Sequence, residues 1–175
     1  MPIRCLGGSF PTHVAALLLQ SVGRAYLNML GTNDFQSVHP HTSWHASQGI
    51  ATLVAAIRQA PIEPGMPVPP VLVVVPPEIR SPKGSIAAKF AGAEKKCAGL
   101  ARAFREVCSL LECPVFDAGS VTTSSRVDGI HLDADQHILL GKALAEVVVG
   151  MLQHLGSRVS TPPCDRLPYQ PRSAA

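Results

Sequence analysis

Val71-Leu72-Val73-Val74-Val75 decides the architecture. A run of apolar, mostly β-branched residues without polar alternation reads as a strand buried on both faces, the pattern of a parallel strand between two helical layers. A proline-rich connector, Pro61 to Pro70, leads into it, and Pro76 to Pro82 closes it. Upstream, Ile50, Leu53, Val54 and Ile57 fall at i, i+3, i+4 and i+7, which predicts a helix with one buried face, capped by Thr42 or Ser43. Downstream, Cys97, Leu100, Ala101, Phe104, Val107, Cys108 and Leu111 form another apolar stripe at helical spacing, predicting a helix from about Ala93 to Leu111.

The same logic extends to both ends. Pro2 to Leu6 reads as a short first strand turned by Gly7-Gly8-Ser9, and Pro11 to Gln20 as a helix with proline in its first turn. Arg24 to Leu30 is a buried strand running into Gly31-Thr32-Asn33-Asp34, and Pro114 to Asp117 is another. Lys83 to Phe90 is a polar, mobile loop. The last helix begins near Asp133 and buries Leu140, Leu144, Val147, Val148, Met151 and Leu155. Strand and helix thus alternate, predicting an α/β fold with a parallel sheet layered between helices. Residues 1–156 form one domain; 157–175, with four prolines and little to pack, form a disordered tail.

Composition narrows the function. A chain of 175 residues with 46% apolar content suits one soluble domain. Fifteen basic residues against twelve acidic ones leave a net charge of +3, and their scatter gives no basic face for nucleic acid. Cys5, Cys97, Cys108, Cys113 and Cys164 show no metal-ligand rhythm; an odd count at irregular spacing favours free thiols in a reducing compartment, with room for one disulfide. The apolar run Val14 to Val22 is too short to span a membrane and lacks a cleavage site, so the expectation is a cytoplasmic protein without a membrane partner.

Two loops carry chemistry. In Val127-Asp128-Gly129-Ile130-His131-Leu132, the spacing brings a carboxylate to an imidazole, fixing the tautomer whose other nitrogen takes a proton. In Gly31-Thr32-Asn33-Asp34, the glycine allows a sharp turn and the Asn33 amide can donate to a developing oxyanion, worth about 3 to 4 kcal/mol in the best cases; otherwise Asn33 and Asp34 cap a turn. Both loops follow predicted strand ends, where α/β sheets keep their sites. His39, His41 and His45 read as a pocket rim or solvated loop rather than a metal site. Trp44, with His45, forms either a substrate-pocket wall or helix packing. Asp133 and Asp135 complement the last helix's amino terminus.

MLGTND at Met29 to Asp34, VLVVVPP at Val71 to Pro77, PKGSIAAKFAGAEKKCAGLA at Pro82 to Ala101 and FDAGSVTTSSRVDGIHLDADQH at Phe116 to His137 together resemble the arylesterase-like branch of the SGNH (GDSL-type) hydrolases, over about Tyr26 to Leu152. The resemblance implies a flavodoxin-like three-layer α/β/α hydrolase of small carboxylic or aryl esters, extending to thioesters, that uses no metal or cofactor and in some relatives forms homo-oligomers. It implies that Gly31 and Asn33 belong to the oxyanion hole, and that Asp128 orients His131 as the base for a serine nucleophile.

The front of the chain departs from that pattern. Arg4 to Phe10 has the outline of the nucleophile block, with Gly8 in place of aspartate, Phe10 in place of leucine and Ser9 as the nucleophile. The stretch from Ser9 to Gly31 is several times shorter than in the family, so one strand-helix unit is missing from the pattern. Two expectations follow: Ser9 ends a first strand and serves a working Ser-His-Asp hydrolase, or Met1 to about Arg24 is unrelated sequence without a nucleophile and the chain is a truncated, catalytically impaired remnant that binds a ligand or serves a structural role.

Overall fold

The computed structural model describes residues 25–60 and 68–158, without the side chains of 154–158. The predicted strand Pro2–Leu6, helix Pro11–Gln20, Ser9, Cys5 and Cys164, most of the proline connector and the tail beyond Arg158 lie outside the described residues. Three parallel strands, β1 (Tyr26–Asn28), β2 (Val71–Val75) and β3 (Val115–Asp117), form a sheet in the order β1-β2-β3. Tyr26 stands opposite Val71, and Val75 opposite Asp117.

Every residue of β2 is buried because alternate side chains point to opposite faces. Val71, Val73 and Val75 pack under α1 (Ser43–Gln59) and α3 (Leu100–Leu110), against Ile50, Val54, Ile57, Leu100 and Phe104. Leu72 and Val74 meet Leu140 of α4 (Ala134–Arg158), with Leu144, Val147, Val148 and Met151 partly buried beside it. One strand therefore serves two cores, giving the helix-sheet-helix layering that the uninterrupted apolar run predicts.

Three expectations change. The predicted Arg24–Leu30 strand is strand only over Tyr26–Asn28, with Leu27 and Leu30 exposed at 43% and 53%; among the described residues it pairs with β2 alone. The single helix expected from Ala93 to Leu111 is two: α2 (Ala93–Cys97) ends before Gly99, whose φ of 75° takes the chain into left-handed backbone before α3 begins. The predicted polar loop Lys83–Phe90 instead forms two 3-10 turns, Gly84–Ile86 and Ala88–Phe90, anchored by the buried Phe90 ring in the core.

Candidate active site

Beyond β3 the chain turns through Ala118–Ser120, where the Asp117 carboxylate accepts from Gly119 N–H at 2.9 Å and pairs with Arg105 of α3 at 2.7 Å. It then forms the loop that ends at His131. Asp128 Oδ2 lies 2.5 Å from His131 Nδ1, while Oδ1 accepts from the backbone N–H of Ile130 at 2.8 Å and of His131 at 3.0 Å. Partial burial pushes the Asp128 carboxyl up, but the His131 ring and these two N–H groups outweigh it and hold the carboxyl at about 2. A carboxylate so held keeps the proton on Nδ1 and leaves the Nε2 lone pair outward. The His131 side chain is 66% exposed, and among the described residues nothing bonds its Nε2.

Two supports hold this loop. On one side Arg80 N–H donates to the Gly129 carbonyl at 3.0 Å and Lys83 N–H to the Asp128 carbonyl at 2.9 Å. On the other, Ser125 Oγ donates to Asp133 Oδ1 at 2.6 Å and accepts from Val127 and Asp128 N–H, Asp133 Oδ2 accepts from Arg126 N–H at 3.0 Å, and Ser125 N–H donates to the His131 carbonyl at 2.6 Å. Gln136 Oε1 in turn accepts from Asp133 N–H at 2.7 Å. Asp133 is therefore more than a charge at the start of α4: its carboxylate staples the base of the His131 loop, a use that sequence spacing does not reveal.

The second loop leaves β1. Gly31 has φ 121°, and a Cβ there would meet the Phe104 ring at 3.4 Å. The following 3-10 turn, Thr32–Phe35, is pinned by Phe35, which is wholly buried. Asn33 Oδ1 accepts from Gln36 Nε2 at 3.0 Å, and among the described residues the Asn33 NH2 has no hydrogen-bond partner. Beside it lies a cleft of about 570 Å³ lined by Leu30, Gly31, Asn33, Ala46, Ile50 and Leu53.

Because all three strands are parallel, both loops leave the same rim of the sheet. The strands they follow, β1 and β3, flank β2 and lie two strand spacings or about 10 Å apart. The segment after β2 bridges them: Arg80 and Lys83 hold the His131 loop, while Lys89 O accepts from Ser37 N–H at 2.7 Å and Lys96 Nζ donates to the Gln36 and His39 carbonyls at 2.9 and 2.7 Å.

The inhibitor-bound aryl esterase of M. smegmatis superposes on the chain with a TM-score of 0.72 and 33% identity, over 80% of this chain and 67% of that one. A carbohydrate acetylesterase family member from Sinorhizobium meliloti does so with a TM-score of 0.74 and 33% identity, over 82% and 68%. The chain belongs to the SGNH hydrolases, in their arylesterase-like branch. A second carbohydrate acetylesterase from S. meliloti matches this SGNH hydrolase chain at 27% identity and a TM-score of 0.72, over 86% and 72%. No protein-family model matches the chain, nor does any curated protein.

Within this SGNH hydrolase chain, Asp128 and His131 are in contact, and Gly31 and Asn33 share a turn on the same rim. Ser9 lies outside the described residues. Trp44 and His45 are not among the residues lining the cleft: Trp44 is 60% exposed, and His45 Nδ1 accepts from Thr42 N–H at 3.2 Å, closing the cap of α1. The His39, His41 and His45 rings stack with centroids 5.3 and 5.6 Å apart; among the described residues no such group converges as metal ligands, and no helix is long and apolar enough to cross a membrane. Sequence reasoning missed Ser125, Gln136 and the backbone of Arg80. Their signal was faint, a serine three residues before Asp128 and a glutamine three after Asp133, the spacing of a capping box.

Proposed function

We propose that this chain hydrolyses esters of small carboxylic acids, acetyl esters of aryl or sugar alcohols foremost and thioesters secondarily, by a Ser-His-Asp mechanism. The observation that carries the reading is the Asp128–His131 contact, with Nε2 left open on the rim that also presents the Asn33 amide. The structural neighbours being an aryl esterase and carbohydrate acetylesterases supports the substrate class.

In this mechanism His131 Nε2 takes the proton of the Ser9 hydroxyl as its Oγ attacks the ester carbonyl. Asp128 stabilises the imidazolium. The tetrahedral oxyanion takes hydrogen bonds from the Asn33 NH2 and the Gly31 backbone N–H, donors that need not reorganise. His131 returns the proton to the leaving alcohol, and water repeats the sequence on the acyl-serine. No cofactor or metal enters. The free thiols of Cys97, Cys108 and Cys113 suit a cytoplasmic setting.

The chain spans about two thirds of the length of the neighbours described; the short stretch between Ser9 and Gly31 favours a second reading, the impaired remnant. Hydrolysis of p-nitrophenyl acetate separates the two. The hydrolase reading expects turnover by the wild type and its loss in both Ser9→Ala and His131→Ala. Turnover unchanged by Ser9→Ala removes Ser9 as nucleophile, and a wild type no faster than buffer leaves the remnant.

A further inference from the structure

Helix α3 ends in a closing turn that brings two cysteines together. Cys113 N–H donates to the Cys108 carbonyl at 2.9 Å and Glu112 N–H to the Ser109 carbonyl at 3.2 Å, the paired bonds of a Schellman closure. Its left-handed residue is Glu112, at φ 49°. In this closure the side chain after the left-handed residue folds back onto the one five places earlier, as two apolar groups usually do. Here both are thiols in the same buried core, and the Cys113 Sγ–H donates to the Val71 carbonyl at 3.2 Å. Both are free, with Cys108 at 0% and Cys113 at 7% exposure.

The two sulfurs are not equivalent. Arg58, anchored on the Leu111 carbonyl at 2.8 Å and the Glu112 carbonyl at 3.5 Å, sets a guanidinium beside Cys113. The contact with Cys108 and, after the opposing effect of burial, the Arg58 charge pull Cys113 down to about 7, while the same contact and burial push Cys108 up. One thiol ionises first, and its neighbour keeps a proton. That pairing of a nucleophilic thiolate with a resolving thiol is what a redox-sensitive site needs. Cys97, pushed up by burial, is the internal control.

We propose that Cys108 and Cys113 form a peroxide-reactive dithiol site that closes to a disulfide across the end of α3. The Cys113 thiolate attacks one oxygen of hydrogen peroxide and the O–O bond breaks. Cys113 is oxidised to a sulfenic acid, the peroxide is reduced, and the departing hydroxide takes up the proton Cys113 lost on ionising. The Cys108 sulfur then attacks the Cys113 sulfur, and the expelled hydroxide leaves as water with the Cys108 proton. Two thiols and one peroxide give one disulfide and two waters. The Cys113 N–H to Cys108 carbonyl bond already ties the two backbones together across the turn. The site sits before β3, at the opposite rim of the sheet from His131, and is independent of ester hydrolysis.

The test uses the full chain, reduced, then treated with hydrogen peroxide, unfolded, alkylated and digested with trypsin. Glu106 to Arg126 is one tryptic peptide holding both residues. The expected product is that peptide unalkylated and two hydrogens lighter, restored by dithiothreitol, while Cys97 stays alkylated. In Cys108→Ser, Cys113 is expected to accumulate as a dimedone-reactive sulfenic acid. Alkylation of Cys108 and Cys113 in step with Cys97, conversion of Cys113 to its sulfinic acid without a disulfide, or pairing with any other cysteine overturns the proposal. The wild-type peptide map decides it even if the variant does not fold.

Discussion

Gly129 packs so tightly under the Arg80 carbonyl that a Cβ at this position would lie 1.9 Å from that oxygen. The obstacle is backbone, not the end of a flexible side chain, and the glycine's φ is 76°. Left-handed backbone alone costs an alanine about 1 to 2 kcal/mol, and here the Arg80 strap must also move. Gly129→Ala is expected to lower stability by more than about 2 kcal/mol in urea titration and to disorder the His131 loop. An unchanged unfolding midpoint would show that the strap yields freely.

Asp128 gives a pH dependence with a definite sign. Its carboxyl falls from an ordinary value of 3.8 to about 2 in the folded chain, so the unfolded chain binds its proton more readily. The stabilisation is complete above the unfolded value and vanishes as pH falls through the folded one. The stability difference between wild type and Asp128→Asn should stay level down to about pH 4 to 5 and shrink between there and about pH 2. A difference that stays level throughout would mean that the carboxylate gains nothing from His131.

For ester turnover, Asp128→Asn should keep the loop's shape but present the wrong imidazole tautomer, lowering kcat by about 10⁴-fold. Asn33→Ala should cost about 10² to 10³-fold in kcat with little change in KM, the signature of a donor used chiefly in the transition state. Steady-state kinetics on p-nitrophenyl acetate read both; a rise in KM alone for Asn33→Ala would recast it as a ground-state binding group.

Ser125→Ala removes an oxygen that donates to Asp133 and accepts from two backbone N–H groups. The partners are only partly buried, so the loss is expected at about 1 kcal/mol, the low end of the range for unmatched groups. Thermal melting should fall, and the turnover of the variant with it, because Asp133 and the Val127 and Asp128 N–H groups lose the oxygen that ties them together at the base of the His131 loop. A destabilised variant with full turnover would separate the staple from the site.

Phe104 is wholly buried and lies beneath Gly31. Phe104→Ala is expected to cost about 3 to 5 kcal/mol and to loosen the Asn33 turn it supports. Denaturant titration measures the first, and amide exchange over Gly31 to Phe35 the second.

Much of this was legible in the chain itself. An uninterrupted apolar run at Val71–Val75 implies cover on both sides, because β2 must point Val73 one way and Val74 the other. Asp128 and His131 meet because three residues across a glycine turn leave little else within reach; that is local geometry, and local geometry travels with the sequence. Helical spacing could not reveal the break at Gly99, since the apolar stripe continues across it, nor the burial of Phe90 in a stretch that looks like a solvated loop.

The contacts that hold the site together are long-range. Arg80 and Gly129, Ser125 and Asp133, and Gly31 and Phe104 are pairs whose closeness depends on how strands are stacked and loops crossed, and no spacing along the chain encodes it. The layered parallel fold and the residues able to move a proton are written in the chain, because periodicity and local turns dictate both. The folded chain decided which side chains hold those residues still, since that depends on contacts closed across the sheet.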